Sequence, residues 1–229
     1  MFQKIGFVAL GVMVLGAASN SYAGFTYYTD RATFDAAHPG FAIEDFENGN
    51  TGTSTLMGVP APVNSASDNS VFSPGDVMPG FSIFPTGPNS DTPLPLGLTT
   101  SNYRNFTSQA LGTFNGGSSL DILFDGEGVW AVGMDIFSVF GDSSFTITLL
   151  RPNAPPLDSI SVPVLADYDG PPTFFGVDSD PQEILGIRFF STGNRLEFVD
   201  NIALVPEPTT LILLACGALG VLRRLTIVD

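Results

Sequence analysis

The side chains of this sequence that could do chemistry are mainly carboxylates. Its 229 residues contain 23 acidic and 8 basic side chains, one histidine and one cysteine. The most informative carboxylate is Asp200, which falls in an alternating run with Phe198, Ile202 and Leu204. Alternation predicts that Asp200 shares the inward face of a strand with these apolar residues. Because burying an unpaired carboxylate is costly, Asp200 needs an arginine, backbone amides or a metal ion as its partner.

The other candidate residues give little support to catalysis. His38 is the sole histidine and precedes Pro39, so ending a helix is a simpler role for it than serving a Ser-His-Asp triad. Two carboxylates could serve a glycosidase, but a sugar cleft needs aromatic platforms, and the single tryptophan, Trp130, falls in an alternating run that predicts a core position. The candidates for exposed, sugar-stacking aromatic residues are Tyr27, Tyr28, Tyr103 and Tyr168.

Two short acidic clusters elsewhere in the chain are further candidates for metal sites. Asp167-Tyr168-Asp169-Gly170 and Asp178-Ser179-Asp180 both lack the third ligand pair and the terminal glutamate of an EF-hand loop. In so acidic a chain they are interpreted as solvated turns. No glycine-rich loop follows a strand and opens a helix in this sequence, so nucleotide chemistry is not supported.

The N-terminal segment has the pattern of a secretory signal peptide. Lys4 precedes an apolar stretch from Ile5 to Ala18, and small residues follow. The pattern predicts a signal peptide over residues 1–23, with cleavage between Ala23 and Gly24. A lone N-terminal membrane helix is the alternative, and both interpretations predict export.

The C-terminal segment, residues 205–229, has three zones. Val205-Pro206-Glu207-Pro208 is an extended strip, because proline fixes φ and has no amide donor. Residues Thr209 to Leu222 carry no charge and predict a short membrane helix, about 21 Å long at roughly 1.5 Å per residue. Arg223 and Arg224 end this run and are expected to stay cytoplasmic. A buried C-terminal helix of a soluble domain is the alternative.

This tail resembles the PEP-CTERM sorting signal of Gram-negative bacteria, through Val205-Pro206-Glu207-Pro208, the apolar run and Arg223-Arg224. The resemblance implies that an exosortase in the inner membrane recognises the tail and removes it. The protein would then reach the cell envelope or the extracellular polymer matrix. The five residues after Arg224 are a departure, since tails of this kind usually end soon after the arginines.

The segment between the two ends, residues 24–204, has the length of one domain. It contains 21 acidic residues, five arginines and no lysine. This charge excludes nucleic acid and anionic lipid as partners, and it favours divalent cations. The one cysteine, Cys216, lies in the apolar tail, so the domain contains no disulfide and no thiolate site.

Apolar alternation predicts many short strands in this domain. A short helix from Thr29 to Ala37, capped by Thr29 or Asp30 and stopped by His38-Pro39-Gly40, comes first. Residues 51–100 predict long loops around short strands, and clear alternation with glycine or proline turns runs from Leu120 to Leu204. The predicted fold class is all-β, an antiparallel β-sandwich with one N-terminal helix, between a signal helix and a membrane helix.

This order is similar to the jelly-roll domains that often precede PEP-CTERM tails and look like carbohydrate-binding modules. The similarity rests on the front helix, on Glu44-Asp45-Phe46-Glu47 and on Phe198-Val199-Asp200-Asn201-Ile202. It implies a structural calcium ion that joins the early acidic strand to the late aspartate, with Glu44, Glu47, Asp200 and Asn201 as ligands. The alternative is that Asp200 accepts hydrogen bonds from loop amides.

The sequence therefore predicts an exported, non-enzymatic protein of the envelope or extracellular matrix that associates with polysaccharide. The exosortase and the inner membrane are expected as transient partners, and nucleic acid and nucleotides are not expected. Two alternatives stay open at this point. One is a structural surface protein without a ligand, and the other is a secreted hydrolase acting on extracellular glycan or ester.

Overall fold

A computed structural model describes residues 24–52, 56–87, 96–100, 106, 108–113, 118–139, 143–151, 160–164, 171–179, 184–191 and 196–205. The predicted signal peptide, including Ala23, lies outside these ranges, as do Pro206-Glu207-Pro208, the predicted membrane helix and Arg223-Arg224. Gly24 directly precedes the first strand, and Val205 ends the last one. Within the described ranges, no helix is long and apolar enough to cross a membrane.

The described residues form an all-β fold with thirteen strands and one helix, in which every strand pair is antiparallel. In chain order the elements are β1 Phe25–Tyr28, α1 Arg31–Ala37, β2 Ala42–Glu44, β3 Leu56–Val59, β4 Phe81–Thr86, β5 Leu96–Thr99, β6 Leu111–Thr113, β7 Ser119–Phe124, β8 Ala131–Val139, β9 Ser143–Leu150, β10 Ile160–Val164, β11 Thr173–Ser179, β12 Gly186–Ser191 and β13 Leu196–Val205.

The strands form two sheets that enclose the main core. The large sheet has the order β1-β11-β8-β13-β6-β5-β3, with β2 beside β13, and the small sheet has the order β10-β9-β12-β7-β4. Alternate residues of both sheets are buried in one apolar cluster, among them Ile122, Met134, Ile136, Ile147 and Phe189. The predicted β-sandwich is therefore confirmed, and alternation correctly identifies the core face of β7, β8, β9 and β12.

Helix α1 packs on the outer face of the large sheet rather than in the sandwich core. Asp30 caps its N-terminus, accepting a 2.9 Å hydrogen bond from the Thr33 amide, and His38 caps its C-terminus, as the sequence predicts. The ring of Phe34 fills a depression left by two glycines, Gly133 of β8 and Gly176 of β11, which pair with each other. A Cβ atom on Gly133 would lie 2.9 Å from the Phe34 ring, so this close approach requires glycine.

Strand β13 does not keep the same face toward the core along its length. Its register with β8 shifts between Asp200 and Ala203, and Asn201 takes a positive φ of 50°. Such a β-bulge adds one residue to the strand and reverses its side-chain alternation. Beyond the bulge, Ile202 and Leu204 face the main core.

Before the bulge, Asp200 faces outward. It lies directly opposite Asp135 of β8, and Asp135 alternates with the core residues Met134 and Ile136. The prediction that Asp200 shares the inward face with Ile202 is therefore wrong, because the bulge separates the two residues. The expected burial is nevertheless present, since helix α1, Phe106 and residues 108–110 cover this outer face and Asp200 is 0% exposed.

Candidate functional site

The outer face of the large sheet carries a polar cluster between two apolar patches. Asn201 bridges two carboxylates, because its Nδ2 donates to Asp135 Oδ2 at 2.9 Å and to Asp200 Oδ2 at 3.2 Å. Asp200 also accepts hydrogen bonds from the Ser108 hydroxyl and, at 2.6 Å, from the Asn201 amide. We call Ser108, Asp135, Asp200 and Asn201 the aspartate cluster. The cluster lies at the bulge, because the positive φ of Asn201 brings its backbone amide within hydrogen-bond distance of the Asp200 carboxylate.

Arg31 connects helix α1 to the aspartate cluster. Its Nε and Nη2 lie 3.3 and 3.2 Å from Asp135 Oδ1, and Nη2 donates to the Asn201 carbonyl at 2.9 Å. The guanidinium also lies 4.8 Å from the centre of the Phe174 ring. One guanidinium thus faces two carboxyl groups, so the cluster carries a net negative charge only when both Asp135 and Asp200 are ionised.

The electrostatics of the cluster act mainly on Asp200. Burial raises the pKa of Asp200 to about 7, although hydrogen bonds from Ser108 and Asn201 oppose the shift, and the charges of Asp135 and Glu47 raise it further. Asp200 therefore exchanges its proton near neutral pH. A bound cation would favour the ionised carboxylate and compete with that proton.

The structure brings only part of the predicted calcium ligand set together. Asn201 and Glu47 lie near Asp200, although the Glu47 Oε1 accepts a 2.6 Å hydrogen bond from the Gln109 amide. Glu44 pairs with Ile202 and so faces the main core, where its two oxygens accept hydrogen bonds from the Phe46 and Met78 amides at 2.7 and 2.5 Å. Glu44 is therefore not part of the aspartate cluster.

Asp135 and Ser108 are the members of the cluster that sequence reasoning missed, and Asp135 is the charged one. It occupies an outward position in an alternating strand, which is where an ordinary solvated carboxylate is expected. Its proximity to Asp200 depends on the pairing of β8 with β13, which no local pattern reveals. Among the described residues, no three histidine, cysteine, aspartate or glutamate side chains form a group that could hold a metal ion by themselves.

His38 is buried and does not face solvent. Its ring contacts Tyr28, Phe34 and Trp130, and Trp130 meets it edge-on at 5.2 Å. Nε2 lies 3.2 Å from Asp178 Oδ2, although neither ring nitrogen makes a well-aligned hydrogen bond. The His38 side chain is only 2% exposed, so it has no contact with a substrate in solvent. Its role as a helix stop is confirmed.

Asp178 is a residue of β11 and does not lie in the solvated turn predicted for it. Tyr28 Oη donates to its Oδ2 at 2.7 Å. Burial acts to raise the pKa of Asp178, but His38 and Tyr28 outweigh it and hold that pKa below the usual range. The carboxylate thus ties β1 and the end of α1 to β11.

The tyrosines predicted as exposed platforms do not have that role where the structure describes them. Tyr27 is half-buried and stacks with Phe25 at 6.5 Å. Tyr28 packs edge-on against Phe34. Tyr103 and Tyr168 lie outside the described residues. Trp130, expected in the core, is half-buried in the patch between α1 and the large sheet.

The outer face of the small sheet presents a polar pair. Arg188 of β12 donates from Nε and Nη2 to the two carboxylate oxygens of Asp121 of β7, at 2.8 and 2.7 Å. Asp121 also accepts a 2.8 Å hydrogen bond from Thr86 of β4 and is only 2% exposed. These bonds fix the guanidinium in one orientation and raise the pKa of Arg188 above its usual range.

Two phenylalanines flank this pair. Phe84 lies opposite Asp121 on β4 and is half-buried, and Phe190 follows two residues after Arg188 on the same face of β12. Phe190 is 42% exposed and, with Ile43, is one of two large apolar side chains that are exposed among the described residues. Thr146 and Thr148 of β9 lie opposite Phe190 and Arg188. We call this surface, formed by Phe84, Asp121, Thr146, Thr148, Arg188 and Phe190, the Phe84–Phe190 face.

Sequence reasoning did not find this face because its residues come from strands that are distant in the sequence. Alternation assigns Phe189 to the core and so leaves Phe190 outward. No local pattern shows that β4, β7 and β12 are neighbours in one sheet, which is what places Phe84 and Phe190 on the same face. The one signal in the sequence is Arg188, a charged residue within an apolar run, which indicates that every second residue of β12 counted from it faces outward.

Comparison with known proteins adds little. No protein family matches the sequence, and no curated protein matches it either. Among solved structures, the chain is similar to a family 29 carbohydrate-binding module from Piromyces equi, with a TM-score of 0.35 and 9% sequence identity over 69% of this chain and 95% of that chain. A likeness this weak supports no conclusion about function.

Proposed function

We propose that this protein is an exported, non-enzymatic β-sandwich that associates with extracellular polysaccharide through the Phe84–Phe190 face. The observation that carries the proposal is the exposed Phe190 beside the fixed guanidinium of Arg188 on the outer face of the small sheet. A flat aromatic ring covers the apolar side of a sugar ring, and the guanidinium and threonine hydroxyls can hydrogen-bond to sugar hydroxyls. A few oriented polar groups between apolar surfaces are typical of ligand sites.

The arrangement favours binding over hydrolysis. Asp200, the carboxyl group whose raised pKa would suit a general acid, is 0% exposed and accepts hydrogen bonds on both oxygens. A general acid must come within hydrogen-bond reach of the bond it protonates. His38 is buried as well. These two observations give no support to the hydrolase alternative.

Phe190→Ala is expected to weaken polysaccharide binding about tenfold, because the substitution removes the more exposed of the two rings in the proposed contact. Affinity electrophoresis of the full-length chain through gels that contain soluble polysaccharides measures the effect. Ile43→Ala is the matched control, since Ile43 is 48% exposed but lies on β2 of the large sheet. If no polysaccharide retards the wild type, the alternative of a structural surface protein without a ligand replaces this proposal.

Export and sorting by the PEP-CTERM-like tail are part of the same proposal. The support for export and sorting is that Pro206-Glu207-Pro208, the charge-free run and Arg223-Arg224 follow the last strand in this order. Signal cleavage would occur between Ala23 and Gly24, and the tail would hold the precursor at the inner membrane until an exosortase removes it. The mature protein would then reside in the envelope or outside the cell.

Glu207→Ala is expected to leave the full-length precursor in the membrane fraction, because it changes the one charged residue of the extended strip. Fractionation of the native host followed by intact-mass measurement tests this expectation. Asp229→Ala, at the far end of the tail, is the matched control. Unchanged release and an unchanged mass of the Glu207→Ala protein would contradict exosortase processing.

The calcium ion implied by the jelly-roll resemblance also belongs to the proposal. Asp135 and Asp200 are the carboxylates that the fold brings together, and carboxylate oxygens suit Ca²⁺. The Asn201 side chain presents its Nδ2 to both, so its amide would have to turn over to offer its oxygen to the ion. Glu47 is close enough to influence Asp200, whereas Glu44 faces the core. The ion would offset the repulsion between the carboxylates, so calcium should stabilise the fold most where Asp200 is ionised.

A further inference from the structure

We infer that the ligand of the Phe84–Phe190 face is an uncharged polysaccharide, and that Asp121 is the residue that determines this specificity. The inference rests on the proposed function and narrows its ligand class. It follows from the charge of the face, from the burial of Asp121 and from the geometry of Arg188.

The charges of the face cancel. Arg188 and Asp121 are the charged residues that the described strands place on it, and they bind each other through two hydrogen bonds. The domain around them contains 21 acidic residues and five arginines, so its long-range field repels polyanions. A neutral chain of sugars meets neither this repulsion nor an uncompensated charge at the site.

The burial of Asp121 gives it a positioning role. A carboxylate on the outer face of a sheet is ordinarily hydrated, yet Asp121 is only 2% exposed, while the Arg188 side chain is 40% exposed. Ligand would therefore touch the guanidinium and the rings but not the carboxylate. Asp121 acts through Arg188: it holds the guanidinium in one orientation and neutralises its charge.

Loss of the Asp121 charge should therefore change which polymers bind. In Asp121→Asn, the guanidinium keeps its positive charge but faces a neutral amide with one acceptor oxygen instead of two, so the face becomes locally cationic. We expect this variant to gain measurable binding to alginate or polygalacturonate, which carry carboxylates. We expect its binding to neutral polymers to weaken, because Arg188 has lost one of its two charge-assisted hydrogen bonds and is held less firmly.

The test is affinity electrophoresis of the full-length chain against hydroxyethyl cellulose, dextran and galactomannan as neutral probes, and against alginate and polygalacturonate as anionic probes. The expected result is retardation of the wild type by at least one neutral polymer and by neither anionic one. The double variant Asp121→Asn, Arg188→Gln should lose the gained anionic binding, since it removes both charges. Melting temperatures confirm that each variant is folded.

The outcomes separate the inference from the proposed function. Wild-type binding to an anionic polymer in preference to the neutral ones would overturn the inference and leave the proposed function standing. Anionic binding that is the same in Asp121→Asn and the double variant would also overturn it. Absence of all binding would overturn both. If Asp121→Asn does not fold, binding of the wild type at raised NaCl concentration tests the inference instead. Binding that persists in salt supports a neutral ligand, and binding that is lost in salt shows an ion-paired ligand and contradicts the inference.

Discussion

Replacing Phe34 by alanine is expected to lower the free energy of unfolding by about 3–5 kcal/mol. The ring is 0% exposed and lies within 6.0 Å, centre to centre, of the rings of Tyr28, His38, Phe41 and Phe174. Its removal leaves a cavity above the glycine pair on β8 and β11, which rigid strands cannot close. Urea unfolding followed by circular dichroism measures the change.

The same substitution at Phe190 is the matched control for Phe34→Ala. Phe190 is 42% exposed, so its loss should change the free energy of unfolding by less than about 1 kcal/mol. Equal midpoints for wild type and Phe34→Ala would show that helix α1 contributes nothing to the stability of the sandwich. That result would contradict the packing of α1 on the outer face of the large sheet.

Asp200→Asn is expected to change how stability depends on pH. Burial, with repulsion from Asp135 and Glu47, raises the pKa of Asp200 from 3.8 to about 7. Between these values the folded protein holds a proton that the unfolded chain has lost, so the free energy of unfolding falls as the pH rises. The loss is on the order of 4 kcal/mol across the window. Asparagine does not ionise, so the variant should lack this fall.

Urea unfolding of wild type and Asp200→Asn at several pH values measures this difference, with the exposed Asp68→Asn as the control. Added calcium should stabilise the wild type more above pH 7 than below it, and it should leave Asp200→Asn unchanged. Parallel pH profiles for wild type and Asp200→Asn would contradict the buried, proton-exchanging state of Asp200. If neither calcium nor a chelator changes the melting temperature above pH 7, the proposed calcium site is wrong.

Much of the fold was predictable because alternation is a local signal. The core faces of β7, β8, β9 and β12 follow from apolar residues at every second position, and the bounds of α1 follow from Asp30 and His38. Strands β3, β5 and β6 were not predicted, since they have only three or four residues and each contains a glycine. Such short strands are stabilised by pairing with neighbouring strands and have no alternating apolar pattern of their own.

The candidate sites depended on contacts that are distant in sequence. A single bulge at Asn201 places Asp200 on the opposite face of the sheet from Ile202. No residue type in the sequence predicts a bulge of this kind. Asp135 and Asp200 meet through a strand pair, as do Asp121 and Arg188. Sequence patterns could indicate that Asp200 needs a partner, but only the order of the strands in the large sheet identifies Asp135 as its neighbour. The order of the strands in the small sheet likewise brings the residues of the Phe84–Phe190 face together.

Hydrogen–deuterium exchange of the full-length chain with and without a neutral polysaccharide that retards it tests the central claim most directly. The account predicts that bound polymer slows exchange in peptides that cover β4, β7 and β12, which carry Phe84, Asp121 and Arg188. Peptides that cover α1 and β2 should exchange at the same rate in both samples. Protection confined to α1 and β2, with none on β4, β7 or β12, would contradict the claim that the small sheet binds the polymer.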